Sequence, residues 1–148
     1  MKPLPDEDRR PVVRLGDLEE ALAWTSSGDG DHEALLSVET GQVHWLGGDL
    51  EETEALPDDI EDGERYVQVP DQHSLDLGRP LVDRFVRKHL PAHAETVSAM
   101  FRRKGAWREF KFFLQREELI SAWHEFENAA IRQALREWAE SEGFRVSD

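Results

Sequence analysis

His89 and His93 stand four residues apart, the spacing at which two imidazoles on one helical face can share a metal ion. Pro91 lies between them and breaks the shared face, so they are expected to be surface histidines at a helix junction. Four further histidines are His32, His44, His73 and His124, and none belongs to a His-Glu-x-x-His motif. His44 alternates with Val43 and Trp45, which places it on the outer face of a strand. Asp29-Gly-Asp-His-Glu33 opens like a calcium loop. Its sixth position is Ala34 and its twelfth is Thr40, where such a loop needs Gly and Glu. There is no nucleophile elbow, no phosphate-cradling Gly-rich loop and no dinucleotide fingerprint. No cysteine is present, which excludes a disulfide framework and thiolate zinc sites. No catalytic, cofactor-binding or metal residue is therefore assigned, and no cofactor is expected.

Charge is the strongest chemical feature. The chain has a formal net charge of −14, divided unevenly. Residues 1–78 hold 5 Lys/Arg and 21 Asp/Glu, whereas residues 79–148 are close to neutral at +2. Nine carboxylates fall within residues 49–64. They are too dense to read as an acid–base pair, whose two pKa values must be separated by environment. The tract is expected to be exposed and mobile. Such a tract can also imitate a phosphate backbone and occupy a basic partner, or lie against the chain's own cations.

Arg102, Arg103, Lys104, Arg108 and Lys111 form the opposite feature, interleaved with Trp107, Phe110, Phe112 and Phe113. On a helix over 106–116, at about 100° per residue, Ala106, Trp107, Phe110, Phe113 and Leu114 share an arc of about 120°. That is the width of a core face, so Trp107 and Phe110 are expected to be buried rather than to act as stacking platforms. Arg108, Phe112 and Arg116 step along the other side, with Lys111 beside them. Phe112 is either covered by another helix, which is the expectation, or a contact residue. The five cations are the candidate partner-binding residues.

The elements that must position these groups follow from periodicity. Residues 1–11 contain three prolines and read as a mobile arm, without the apolar stretch of a signal peptide. Asp17 and Glu20 form a capping box for a short helix that stops at Ser26-Ser27-Gly28. Ala34–Val38 and Gln42–Leu46 are strands flanking Glu39-Thr40-Gly41, a type I turn closed by a left-handed glycine. Arg65–Val69 is a third strand, closed by Pro70. After residue 78 the apolar period changes from two to about 3.6. Four helices follow, marked by Leu81–Leu90, Ala94–Phe101, Trp107–Leu114 and Leu119–Trp138, with Gly143 as the last C-cap. The fold class is α+β: a small antiparallel sheet of about three strands, an early helix and about four C-terminal helices. Residues 12–148 are expected to be a single domain with one shared core.

Four motifs in order carry a resemblance: Glu39-Thr-Gly-Gln-Val43, Glu64-Arg-Tyr-Val-Gln-Val-Pro70, Gly105-Ala-Trp-Arg-Glu-Phe-Lys111 and Trp123-x-x-Phe126 before an Ala-rich helix with Trp138. From Val12 to Gly143 the chain resembles a bacterial uncharacterised protein family, number 0158. That family typically has Gly-x-Phe-Arg-Arg-Phe-Lys, where this chain has Trp107 for a Phe and Glu109 for the second Arg. The resemblance implies an α+β fold and a bacterial origin, and brings no activity with it.

The functional expectation is a non-enzymatic, acidic, protein-binding or regulatory domain of a reducing cytoplasm, with no membrane span. One alternative is a nucleic-acid-associated protein using the cations at 102–111, opposed by the net charge. The other is an enzyme with a site that no motif reveals, for which His44 or His124 beside a carboxylate would be the signature.

Overall fold

The protein is represented by a computed structural model that describes residues 10–27, 31–47 and 56–148. They group into two compact units, one ending at Leu75 and resuming at Arg132, the other Asp76–Ile131.

The first unit begins with β1 (Val12–Arg14), which runs straight into α1 (Leu15–Ser26). The helix starts two residues before the expected cap. Asp17 lies in the first turn, where a carboxylate favours the positive helix end, and Arg14 is the N-cap without a side-chain hydrogen bond. Burial of Leu15, Leu18, Ala21 and Leu22 explains this start, because their spacing is that of one apolar face. The hairpin of β2 (Glu33–Ser37) and β3 (Val43–Leu46) is closed as expected. Gly41 takes φ +77 and donates to the Ser37 carbonyl at 2.9 Å. A Cβ at Gly41 would come within 2.3 Å of the Val12 carbonyl oxygen, so only glycine fits this approach. β4 (Tyr66–Gln68) pairs with β2 on its other edge, giving the antiparallel order β3-β2-β4.

Register sorts the sheet into two faces. Ala34, Leu36, Val43, Trp45 and Val67 share one face, and α1 packs on the hairpin, with Trp24 edge-on to Trp45. Leu35, His44, Leu46, Tyr66 and Gln68 share the other.

A second sheet was not expected. β1 pairs in parallel with β5 (Arg145–Ser147), matching Val13 to Val146. Of the expected arm, residues 1–9 lie outside the described residues, while the Pro11 carbonyl accepts from Arg145 N at 2.9 Å. Of the acidic segment, residues 49–55 likewise lie outside. Its second half makes consecutive turns: Ile60 N donates to Pro57 O, Asp62 N to Asp59 O and Arg65 N to Asp62 O.

The second unit holds α2 (Arg79–His89), α3 (Ala94–Met100), α4 (Ala106–Arg116) and the first half of α5 (Ile120–Ser141). Pro91 opens a short 3₁₀ turn, Pro91–His93, that separates His89 from His93. Trp123 is 1% exposed and stands edge-on to both Phe85 and Phe110 at 5.2 Å, tying α2, α4 and α5 together. Arg79 donates to Ser98 Oγ and lies over the Phe101 ring at 4.9 Å.

α4 and α5 end alike. Phe144 N reaches Ala139 O and Gly143 N reaches Glu140 O, a Schellman cap with Gly143 at φ +94, as expected. At the end of α4, Leu119 N reaches Leu114 O and Glu118 N reaches Gln115 O. The left-handed residue there is Glu118, at φ +59.

Candidate functional site

α4 has a second face. Phe110, Phe113 and Leu114 are buried, as their arc requires. Trp107, at the edge of that arc, is 41% exposed. Its ring stands edge-on to Phe101 at 5.1 Å and within 6.5 Å of Phe110 and Trp123, but its exposure corrects the expectation that it is a core residue. Phe112 is 59% exposed, so its expected burial is also corrected. The physical reason is common to both. One helix needs only about 100° of apolar surface for its core face, and both rings lie beyond it.

At about 100° per residue, Trp107, Lys111, Gln115, Arg108, Phe112 and Arg116 line about 180° of α4 in that order. All six are exposed, and none is a carboxylate. Glu109 lies outside this arc and accepts from Arg103 Nη2 at 2.6 Å. So Glu109 neutralises Arg103, while Arg102, Lys104, Arg108 and Lys111 have no carboxylate partner among the described residues. Arg102, Arg103 and Lys104 are exposed in the turn between α3 and α4. The five sequence candidates are thus on a single turn–helix segment, four as available cations and one in an ion pair. Residues 84–116 as a whole carry nine Lys/Arg against two Asp/Glu, in a chain of net charge −14.

The arrangement suits recognition. Exposed aromatics supply contact area with little rotamer entropy to lose, and arginines flanking them supply directed donors. Phe112 stands one turn from Arg108 and one turn from Arg116, so a ligand that covers its ring comes within reach of both guanidiniums.

Two concavities in the first unit hold the remaining candidates. One, of about 340 Å3, is lined by Thr25, His32, Glu33, Gln68 and Asp71 among others. His32 stacks on Trp24 at 3.9 Å, and its Nδ1 lies 2.8 Å from Ser27 Oγ. That hydroxyl also lies 2.8 Å from the Trp24 carbonyl, so it is shared between a ring nitrogen and a backbone acceptor. Thr25 Oγ1 donates to Pro70 O, and Asp71 Oδ1 accepts from both the amide and hydroxyl of Ser74. These hydrogen bonds, with that of the Ser74 amide the largest, hold the Asp71 carboxyl below its ordinary value. The Thr25, Asp71 and Ser74 side chains are thus engaged with backbone groups or with one another.

The other concavity, about 620 Å3, lies on the outer face of the sheet. Leu35, Leu46, Leu56 and Ile60 give it an apolar floor, and Glu33, Glu61 and Asp62 a carboxylate rim. Asp59 fastens this segment: Oδ1 accepts from Tyr66 Oη at 2.9 Å and Oδ2 from Arg65 Nη1 at 3.1 Å. The Tyr66 hydrogen bond, then Arg65, lowers the Asp59 pKa, and Asp59 in turn raises that of Tyr66. His44 is on the outer face as expected but 9% exposed, not solvated, because Tyr66 stands edge-on to its ring at 5.7 Å. His124 is exposed on α5, and among the described residues no three His, Asp or Glu side chains converge as metal ligands. No described helix is long and apolar enough to cross a membrane.

The profile of the Uncharacterised protein family (UPF0158) matches residues 10–147. No curated protein and no solved structure matches the chain at a significant level.

Proposed function

The chain belongs to the Uncharacterised protein family (UPF0158), and for this member we propose a non-enzymatic role: a binding module that presents the outward face of α4 to an acidic protein segment. The observation that carries this reading is the carboxylate-free face on which Trp107 and Phe112 are exposed among Arg108, Lys111 and Arg116. An acidic segment with an apolar anchor would cover Phe112 and pair with the guanidiniums on either side. Burial of the aromatic supplies affinity, and the cations supply orientation and encounter rate. Arg102 and Lys104 extend the basic surface past the start of the helix.

The same two exposed rings favour a second reading, single-stranded nucleic acid, whose bases stack on aromatics between cations. The net charge of −14 opposes it, because a long polyanion would run beyond the basic face into a negative field. A nuclease-treated cell lysate passed over the wild-type protein and over Arg108→Glu/Lys111→Glu separates the readings. The expected outcome is a protein partner retained by the wild type and lost by the variant. An identical set of retained proteins from two equally stable chains contradicts the docking role. Retention of a separately added single-stranded oligonucleotide instead, falling steeply with salt, supports the second reading.

A further inference from the structure

We propose that the carboxylate-rimmed cleft on the outer face of the β3-β2-β4 sheet receives the α4 face of a second copy of this chain. The inference rests on the reading of α4 as a docking face and names its partner.

The two surfaces are chemical complements. The cleft has an apolar floor of Leu35, Leu46, Leu56 and Ile60 in a volume of about 620 Å3. Leu56 is 38% exposed there, an apolar side chain with solvent on one side. Phe112, at 59% exposed, is the largest outlay of apolar surface on the outward face of α4. A phenyl ring is smaller than a pocket of this volume. Around the floor stand Glu33 and Glu61, neither with a cationic partner among the described residues. Around Phe112 stand Arg108 and Lys111, likewise without a carboxylate partner among them. A single contact would therefore desolvate an exposed aromatic and pair charges that each surface leaves unmatched.

Charge complementarity selects this occupant over an unrelated acidic protein, because the required acidic, apolar-floored partner is present on the same chain. The turns at Pro57–Arg65, fastened by Asp59 to Tyr66 and Arg65, hold the rim in shape before any partner arrives. The contact joins two different patches, so it is heterologous. The copy that gives its face keeps an unused cleft and the copy that gives its cleft keeps an unused face, so association proceeds head to tail.

Sedimentation velocity over a wide concentration range tests the proposal, with thermal melts showing that all variants remain folded. The wild type is expected to rise above its monomer mass of 17.0 kDa as concentration increases. The face variant Arg108→Glu/Lys111→Glu and the cleft variant Glu33→Lys/Glu61→Lys are each expected to stay at the monomer mass. Mixed in equal amounts they should associate, because one brings an intact cleft and the other an intact face. A wild type that remains monomeric throughout overturns the proposal, as do variants that associate like the wild type or fail to rescue each other. A monomeric wild type that still loses a lysate partner on Arg108→Glu/Lys111→Glu removes the second copy and leaves the docking face standing. A monomeric wild type whose lysate partners are unchanged by that substitution removes both.

Discussion

The four aromatics of α4 divide into buried Phe110 and Phe113 and exposed Trp107 and Phe112. Phe110 is fully buried against Trp123, so Phe110→Ala should cost about 3–5 kcal/mol in a urea titration. Phe112→Ala should stay within about 0.5 kcal/mol of wild type in the same experiment, because its ring is mostly in water. Equal losses at the two positions would mean that Phe112 is a core residue. This division was only half legible in the sequence. The apolar arc identified Phe110, Phe113 and Leu114, but Trp107 at its edge was read inward because a large ring scores as apolar wherever it stands. Periodicity cannot say how far a core face extends past the residues that fill it. At Asp59, the carboxyl is held below its ordinary 3.8 by the Tyr66 hydroxyl and then by Arg65. A depressed carboxylate favours the folded arrangement above the ordinary value and loses that contribution as pH falls through the lowered one. A carboxyl-detected NMR titration should therefore show Asp59 ionising below its ordinary value, and Tyr66→Phe should move it upward. An unshifted Asp59 in the wild type would show that the acidic turn is not fastened in solution.

The ends of the elements carry the next lesson. Gly143 closes α5 in the left-handed region and was readable as a C-cap, since glycine after a long periodic run has that meaning. Glu118 closes α4 in the same geometry and gave no such sign. A side chain in that conformation costs roughly 1 kcal/mol relative to glycine, so Glu118→Gly should raise stability by about 1 kcal/mol. A calorimetric melt checks it, and an unchanged or lower Tm would mean that the cap relaxes in solution. The hairpin, β4 and all five helices of the described residues follow from local pattern: alternation, a glycine-closed turn and the 3.6 period. β1 and β5 do not. Each is three residues long, and they pair in parallel across nearly the whole chain, Val12 with Arg145. Only a long-range contact defines them, and no window of sequence contains it. The early helix start has a similar origin, because burial of Leu15 outweighed the capping box at Asp17.

At the scale of the molecule, charge follows the two compact units. Residues 76–131 carry ten Lys/Arg and eight Asp/Glu, a net of +2, against −16 for the rest of the chain. A near-neutral unit with a basic, aromatic-bearing face is not accounted for by solubility, which the acidic residues already provide. The division was visible in the sequence, and so was the candidate cluster. What the sequence could not supply was the exposure of Trp107 and Phe112, which sets two rings in solvent among the cations. This face is proposed to meet a protein. Phe112→p-benzoylphenylalanine, irradiated in growing cells, tests it at the atom concerned, with the same photocrosslinker at Glu140 of α5 as control. The expected result is a discrete protein adduct from position 112, absent from the control and abolished by Arg108→Glu/Lys111→Glu. Adducts from position 112 that match the control, or that survive the charge reversal unchanged, would contradict it.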